Sequence, residues 1–540
     1  MTQSPAATCA SPAASSPRGH LFPCLSARRE IVLIILLAIA CRFWHVTAPY
    51  TSQHWIKQLQ IAPIAKNFYL HSYNILWPET DYSADTPGYI EIEFQLVTFL
   101  TALLYNVFGM HEWVGRLVTI SFSIGSMILL WRLMREELGE RPALLGLLFF
   151  AFAPSNLYFS RCLMSEPLML FFSIASLWTF RRWLRRGTNP LFALAVLLTA
   201  LCFLVKLPTV LLAFPLLFLA HRQFGWALFR RPSLYLFALL CLAPAVAYYL
   251  FARYAIGEHY FTVGVGFGGG MWFSAKQFFH PGNWSLMLQR LNRDHLTAVG
   301  LALLPLGFFA RPAEGEPRWS LFHAWLIGVA AYFVVVSGGN IRQNYYQLPL
   351  IPAAAGLIGL GWHRVAESDA LRRCALPTLA ALFLALAAWG VQPMFKEYRP
   401  IRQAAADLKA IDPYLRPVII FPPGYGCLYY FDRKGWCARE SLGRPPEAVK
   451  PQDLPGPVYI EHRRGRGAAW AVYFEVSSQE RRPDLRAYLD ANYPAVVAKP
   501  EYLIYDLAKP LRGAHGSARP PESAPANSSH PDDAAEGDAN

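Results

Sequence analysis

Long apolar runs separated by short, basic, polar breaks dominate the chain. A helix rising 1.5 Å per residue needs about 20 apolar residues to cross roughly 30 Å of hydrocarbon. The runs 30–47, 113–133, 142–158, 167–184, 190–205, 208–220, 232–253, 295–310, 319–337, 345–361 and 374–392 meet or approach that length. They predict a mostly α, polytopic transmembrane helical fold of about eleven spans. The run Phe94 to Phe108 is left out, because its 15 residues reach only about 22 Å. It is expected to lie on, or dip into, one face of the bilayer as a juxtamembrane helix.

Composition supports a membrane class. Of 540 residues 54% are hydrophobic and 16% charged, against roughly 25% charged in soluble domains. The net charge of +13 does not point to nucleic acid, since the basic residues fall in loop-sized clusters as topology signals do. With Arg28 and Arg29 on the cytoplasmic side, the groups Arg132 and Arg135, Arg181 to Arg186, His221 to Arg231, Arg311 with Arg318, and Arg364 with Arg372 and Arg373 fall there too. The segments 48–93, 155–166, 254–294 and everything after about Pro393 then lie outside.

Four regions follow: a disordered cytoplasmic tail 1–29, a transmembrane module 30–393, an extracytoplasmic α/β domain 394–511 and a disordered tail 512–540. The Ala-, Ser- and Pro-rich start lacks a small-residue cleavage pattern, so the first run reads as a retained anchor. In the C-terminal domain Val418 to Phe421 and Leu428 to Phe431 read as strands broken by turn residues. Cys427 and Cys437 are its only cysteine pair, and either a disulfide or two free thiols is compatible with their spacing.

The first outer loop holds Glu79, Asp81, Asp85, Glu91 and Glu93 within fifteen residues. Carboxylates at a membrane surface can act as a general base on an attacking hydroxyl, amine or phosphate, so Asp81, Asp85, Glu91 and Glu93 are candidate catalytic residues. Lys206, Arg161 and Arg342 stand at the outer ends of different spans. A charge between apolar runs, as at Lys206, is costly and usually functional or paired. Cations there would stabilise a lipid phosphate both bound and as a leaving group. Glu166 is spaced to pair with Arg161 or to orient another cation, and Pro208 breaks the helix where a cavity would tolerate exposed backbone.

Several stretches occur in an order that resembles the bacterial glycosyltransferase family 39, the protein mannosyltransferase and lipid A aminoarabinose transferase group with the GT-C fold. They are Ile64-Ala-Lys-Asn-Phe-Tyr with Tyr73-Asn-Ile-Leu-Trp-Pro, Pro87-Gly-Tyr-Ile-Glu-Ile-Glu-Phe, Phe108-Gly-Met-His-Glu-Trp-Val-Gly-Arg-Leu, Ser160-Arg-Cys-Leu-Met-Ser-Glu-Pro, and Asn344-Tyr-Tyr-Gln-Leu-Pro-Leu-Ile-Pro. The resemblance spans roughly residues 30–440. It implies inverting transfer of one sugar from a polyprenyl-phosphate donor to a lipid, glycan or protein acceptor on the outer face. It implies a metal-independent or metal-indifferent reaction with no cofactor; no metal-ligand spacing stands out among the nine cysteines.

The family's first-loop acid would fall near Ser52, where this chain reads Tyr50-Thr-Ser-Gln-His-Trp-Ile-Lys-Gln without a carboxylate. Another loop acid or His54, whose ordinary pKa is about 6.5, would then serve as base. Lys57 would add to the phosphate site, and Tyr345 and Tyr346 match an aromatic pair lining the substrate. The expected setting is the bacterial inner membrane, with lipid contacts on all sides. Two alternatives compete: a transporter or flippase for a lipid-linked saccharide, and a non-catalytic relative. The first is disfavoured because no second copy of the Lys206 to Pro208 break exists elsewhere in the chain.

Overall fold

The computed structural model describes residues 27–262, 271–310, 318–366, 369–421, 424–437, 456–475 and 483–511. The expected tails fall outside these, apart from residues 27–29, as does Arg311. The apolar runs fold as helices Ala27–Phe43, Glu112–Leu138, Glu140–Phe152, Glu166–Arg186, Asn189–Val205, Ala213–Phe224, Pro232–Phe251, Thr297–Phe309, Leu321–Val335, Leu350–Val365 and Asp369–Val391. Each overlaps one run. Among the described residues four stretches, Glu112–Leu138, Leu207–Arg230, Pro232–Gly257 and Leu376–Ile411, are long and apolar enough to cross a membrane by length and composition. That number is smaller than the expected one partly because proline divides the runs: 142–158 becomes Glu140–Phe152 and Pro154–Phe159, split before Pro154. Phe94 to Phe108 forms the helix Leu96–Phe108.

Charges gather at opposite ends of the bundle. Helix Glu166–Arg186 has 21 residues, so its ends stand about 30 Å apart. At its C-terminal end Arg181 pairs with Glu136 and, at 2.7 Å, with Glu137, which also takes Arg222 at 2.7 Å. Three of the basic clusters assigned to one side therefore do meet at one end.

The interior of the bundle is held by backbone-to-backbone approach. Gly359 faces the Pro142 carbonyl and Gly146, while Gly307 and Gly361 press on the Leu357 and Leu303 carbonyls of the facing helices. Small residues allow helices this close, where packing replaces the hydrophobic effect as the cohesive term. Gly359→Leu is expected to cost about 1–3 kcal/mol by overpacking. A lowered melting temperature in detergent, with Gly465→Leu unchanged, checks this, since nothing lies near a Cβ at Gly465.

The C-terminal region builds a five-stranded sheet in the order Gly435–Cys437, Val418–Phe421, Trp470–Phe474, Tyr502–Asp506, Ala495–Lys499. The first three strands run parallel, and Tyr502–Asp506 is antiparallel to both of its neighbours. Leu428 to Phe431, expected as a strand, is a helical turn instead. A four-residue apolar run carries no period that separates the two, and Asp432 in the left-handed region (φ 49) ends it. Cys427 and Cys437 are both buried.

The first loop is clamped between this sheet and the helical module. Its helix Trp55–Leu70 packs the Leu59 backbone on Gly426, Tyr82 bridges to Gly435, and Ile90–Glu91 pairs in parallel with Phe261–Thr262.

Candidate functional site

Lys206 sits where the chain leaves helix Asn189–Val205 and enters the 3-10 turn Leu207–Leu212. Pro208 supplies no N–H, so the helix cannot continue. The Leu204 carbonyl it frees accepts from Tyr249 OH at 3.1 Å, and Thr209 Oγ1 adds a donation to Cys202 O at 3.0 Å. Lys206, extended at φ −154, is thereby buried and placed among ionisable groups from three other segments.

Its Nζ lies 2.6 Å from Glu166 Oε1 and 3.7 Å from Glu93 Oε1. Lys57 Nζ approaches the same Glu93 oxygen at 2.6 Å. The rings of Tyr345 and Tyr346 stand 5.7 and 5.2 Å from the Lys206 ammonium, within cation–π range. Glu166 therefore takes the second of its two expected roles, orienting Lys206, and its buried Oε2 has no hydrogen-bond partner. Lys206 also lines a small, mostly apolar cavity of about 40 Å³ together with Pro208, Leu212, Met169, Trp325 and Tyr332.

His54 borders this cluster. Its ring meets Tyr345 edge-on at 5.0 Å and Phe159 at 5.6 Å. Its backbone is left-handed (φ 54), a conformation costing about 1 kcal/mol that persists only where surroundings enforce it. His54 Nε2 donates to Asn344 Oδ1 at 2.6 Å, and Asn344 Nδ2 donates to Asp294 Oδ2 at 2.9 Å. That relay fixes the tautomer and leaves Nδ1 as the basic nitrogen.

Burial lowers the His54 pKa to about 4, so the ring is neutral near pH 7. Burial also raises Asp294, outweighing its bond from Asn344 and the nearby Arg293 and Arg290. Glu93 behaves in the opposite sense: burial would raise it, yet Lys57 and Lys206 together hold it at about 2. Glu93 is thus a weaker proton acceptor than His54. Its chemistry here is to hold two ammonium groups in place.

The other candidates sit elsewhere. Asp81 accepts from buried Lys66 at 2.6 Å and from Asn67 at 3.3 Å, and Asp85 pairs with Arg466 and Ser83. Both tie the first loop to itself and to the C-terminal domain. Asp81→Asn would strip buried Lys66 of its closest counter-charge, an effect of about 3 kcal/mol for a broken buried pair. A lower melting temperature is expected, with donor binding intact in the folded fraction. Glu91 accepts from Thr262 and lies 3.7 Å from Arg253. Arg342 is exposed, three residues before Tyr345. Arg161 is buried, donating to the His45 carbonyl.

Asn344 and Asp294 carry no signal of their chemistry in the sequence. Asn344 opens a stretch that carries the resemblance, but nothing in a linear pattern pairs it with a residue 50 positions earlier.

Residues 95–251 match the family model described as dolichyl-phosphate-mannose-protein mannosyltransferase. No curated protein matches the chain by sequence. Among solved structures, ArnT from Cupriavidus metallidurans bound to undecaprenyl phosphate superposes with a TM-score of 0.65 at 15% identity, over 91% of this chain and 100% of that one. The oligosaccharyltransferase AglB from Archaeoglobus fulgidus, in complex with an inhibitory peptide and a dolichol-phosphate, gives 0.52 at 14% identity, over 88% and 74% of the two chains. A mycobacterial arabinofuranosyltransferase, AftD, gives 0.50 at 15% identity, over 89% of this chain and 40% of that one. By this match and these likenesses, the chain has the fold of the GT-C membrane glycosyltransferases and carries the mannosyltransferase family pattern over residues 95–251.

Proposed function

We propose that the protein transfers a sugar from a polyprenyl-phosphate donor to an acceptor at the outer face of the bacterial inner membrane. The carrying observation is the buried chain Lys57, Glu93, Lys206 and Glu166 under Tyr345 and Tyr346, beside a small, mostly apolar cavity. Solved relatives hold undecaprenyl phosphate and a dolichol-phosphate, which supports the same chemistry here.

An ammonium has three N–H donors, and Glu166 takes one from Lys206 at hydrogen-bond distance. A phosphate oxygen takes another. His54 Nδ1 accepts the proton of the acceptor hydroxyl or amine as that group attacks the anomeric carbon. The bond from that carbon to the phosphate oxygen breaks with its electron pair moving to the phosphate, and configuration inverts. Lys206 and Lys57 stabilise the resulting polyprenyl phosphate, while Glu93 and Glu166 hold the two ammonium groups and Glu166 Oε2 accepts from a sugar hydroxyl.

Binding alone tests the donor half of this reading. In nanodiscs of neutral lipid, polyprenyl phosphate is expected to bind at least about tenfold more tightly than the matching polyprenol, given 1.5–3 kcal/mol for hydrogen bonds to a charged group. Equal affinity for both would remove Lys206 as a phosphate ligand.

A further inference from the structure

A larger cavity, of about 240 Å³, lies between the stretches Leu207–Arg230 and Pro232–Gly257, both long and apolar enough to cross a membrane. Leu216 and Ala220 on one helix, and Leu234, Ala238 and Cys241 on the next, stand three to four residues apart, so each helix turns one stripe to the same slot. From Leu234 to Leu242 the slot follows its helix for about 12 Å. Among the described residues that line it, only Tyr235 and Cys241 bring side-chain heteroatoms. Both are engaged, Tyr235 OH donating to the Phe229 carbonyl at 2.9 Å and Cys241 Sγ lying 3.7 Å from the Val196 carbonyl. A carbon-lined cavity of this size stays dry and takes apolar ligands.

The end of the slot away from Lys206 is basic. Leu228 and Phe229, in the 3-10 turn Gly225–Arg230, line it there. Arg230 and Arg231 follow directly and are exposed, and among the described residues no carboxylate pairs with either. The Arg231 guanidinium lies 4.7 Å from the Phe224 ring. Their neighbours differ, since Arg181 and Arg222 are taken by Glu136 and Glu137. Trp226, 78% exposed in the same turn, is the kind of residue that marks headgroup level in a bilayer.

We propose that the slot holds one acyl chain of an anionic glycerophospholipid, with the headgroup phosphate bound by Arg230 and Arg231. A guanidinium's planar donors match phosphate oxygens, and a basic pocket between spans is suited to an anionic headgroup. Charge complementarity selects this occupant over a zwitterionic lipid: two unpaired guanidiniums stand at the mouth of a carbon-lined slot. Position separates it from the sugar donor, because Lys206 precedes Val210 at the other end of helix Ala213–Phe224. The site does not depend on the transferase reading.

The test uses the full-length protein in neutral detergent, titrated with dioleoyl phosphatidylglycerol and separately with dioleoyl phosphatidylcholine, bound lipid being counted by native mass spectrometry. Wild type is expected to bind one phosphatidylglycerol at least about tenfold more tightly than phosphatidylcholine, two basic residues acting on one anionic headgroup. Arg230→Ala combined with Arg231→Ala, both on the surface, should remove most of that preference. Ala238→Phe, which fills the slot from one wall, should weaken binding of both lipids, and Ala213→Leu carries this arm if Ala238→Phe does not fold. Equal binding of the two lipids by wild type, a preference untouched in the double arginine variant, or phosphatidylglycerol binding unchanged in the filled variants would overturn the proposal. Displacement of phosphatidylglycerol by an equimolar amount of polyprenyl phosphate would overturn it too, by giving the slot to the donor.

Discussion

Lys206→Ala is expected to reduce sugar transfer by about 10²- to 10³-fold, the effect of removing one donor aimed at a developing negative charge. The substitution removes the ammonium proposed to face the leaving phosphate and also strips Glu166 of its counter-charge, while Glu93 keeps Lys57. Both changes act most strongly in the transition state, where charge builds on the phosphate oxygen, so kcat should fall more than KM rises. Lys206→Arg keeps the charge but replaces a compact ammonium with a planar fork that Glu166, Glu93 and two tyrosine rings leave little room for. It should recover only part of the loss. Rates measured with saturating donor separate the two effects, and unchanged kcat in folded Lys206→Ala would move the phosphate elsewhere.

The second large effect concerns His54. Removing a general base costs about 10²- to 10⁴-fold, and His54→Gln keeps a hydrogen-bonding side chain beside Asn344 while losing the basic nitrogen. Its pH signature is distinct. An ordinary histidine would lose its basic form below about 6.5, whereas burial holds this one neutral down to about 4. The transfer rate, kcat/KM, should therefore stay level from pH 8 to well below 6 and decline only as pH nears 4. In His54→Gln that limb should vanish together with most of the rate. The sign for stability follows from the same shift: the folded pKa lies below the ordinary value, so the stabilisation is complete above about 6.5 and is lost as pH falls towards 4. A limb near 2 in the wild type would assign the proton to Glu93 instead.

The helical module was legible because a membrane span states itself in one dimension. Each apolar run became a helix, and the break at Lys206 and Pro208 announced a charge held at a helix end, which is where the structure puts it. Glu93, Glu166, Lys57, His54, Tyr345 and Tyr346 were also named, and they converge on Lys206 or its neighbours. What the linear pattern could not do was sort the first-loop acids. Asp81 and Glu93 look alike in sequence, yet one faces Lys66 and the other Lys57 and Lys206, and only the loop's path between the C-terminal sheet and residues 261–262 decides it. Arg161 and Lys206 share a charge, yet Arg161 donates to the His45 carbonyl while Lys206 pairs with Glu166 and Glu93. The strand expected at Leu428 to Phe431 failed for a related reason: four apolar residues fit either element, and packing of Gly426 on the Leu59 backbone chose the turn.

The most direct measurement is transfer of radiolabelled sugar from a panel of polyprenyl-phosphate hexoses and pentoses to a membrane extract by the purified protein. The account predicts that at least one donor is consumed, with one polyprenyl phosphate released for each sugar transferred. A folded protein that binds polyprenyl phosphate yet turns over none of the donors would contradict it, and would point to a carrier of the lipid-linked sugar or to a relative that has lost catalysis.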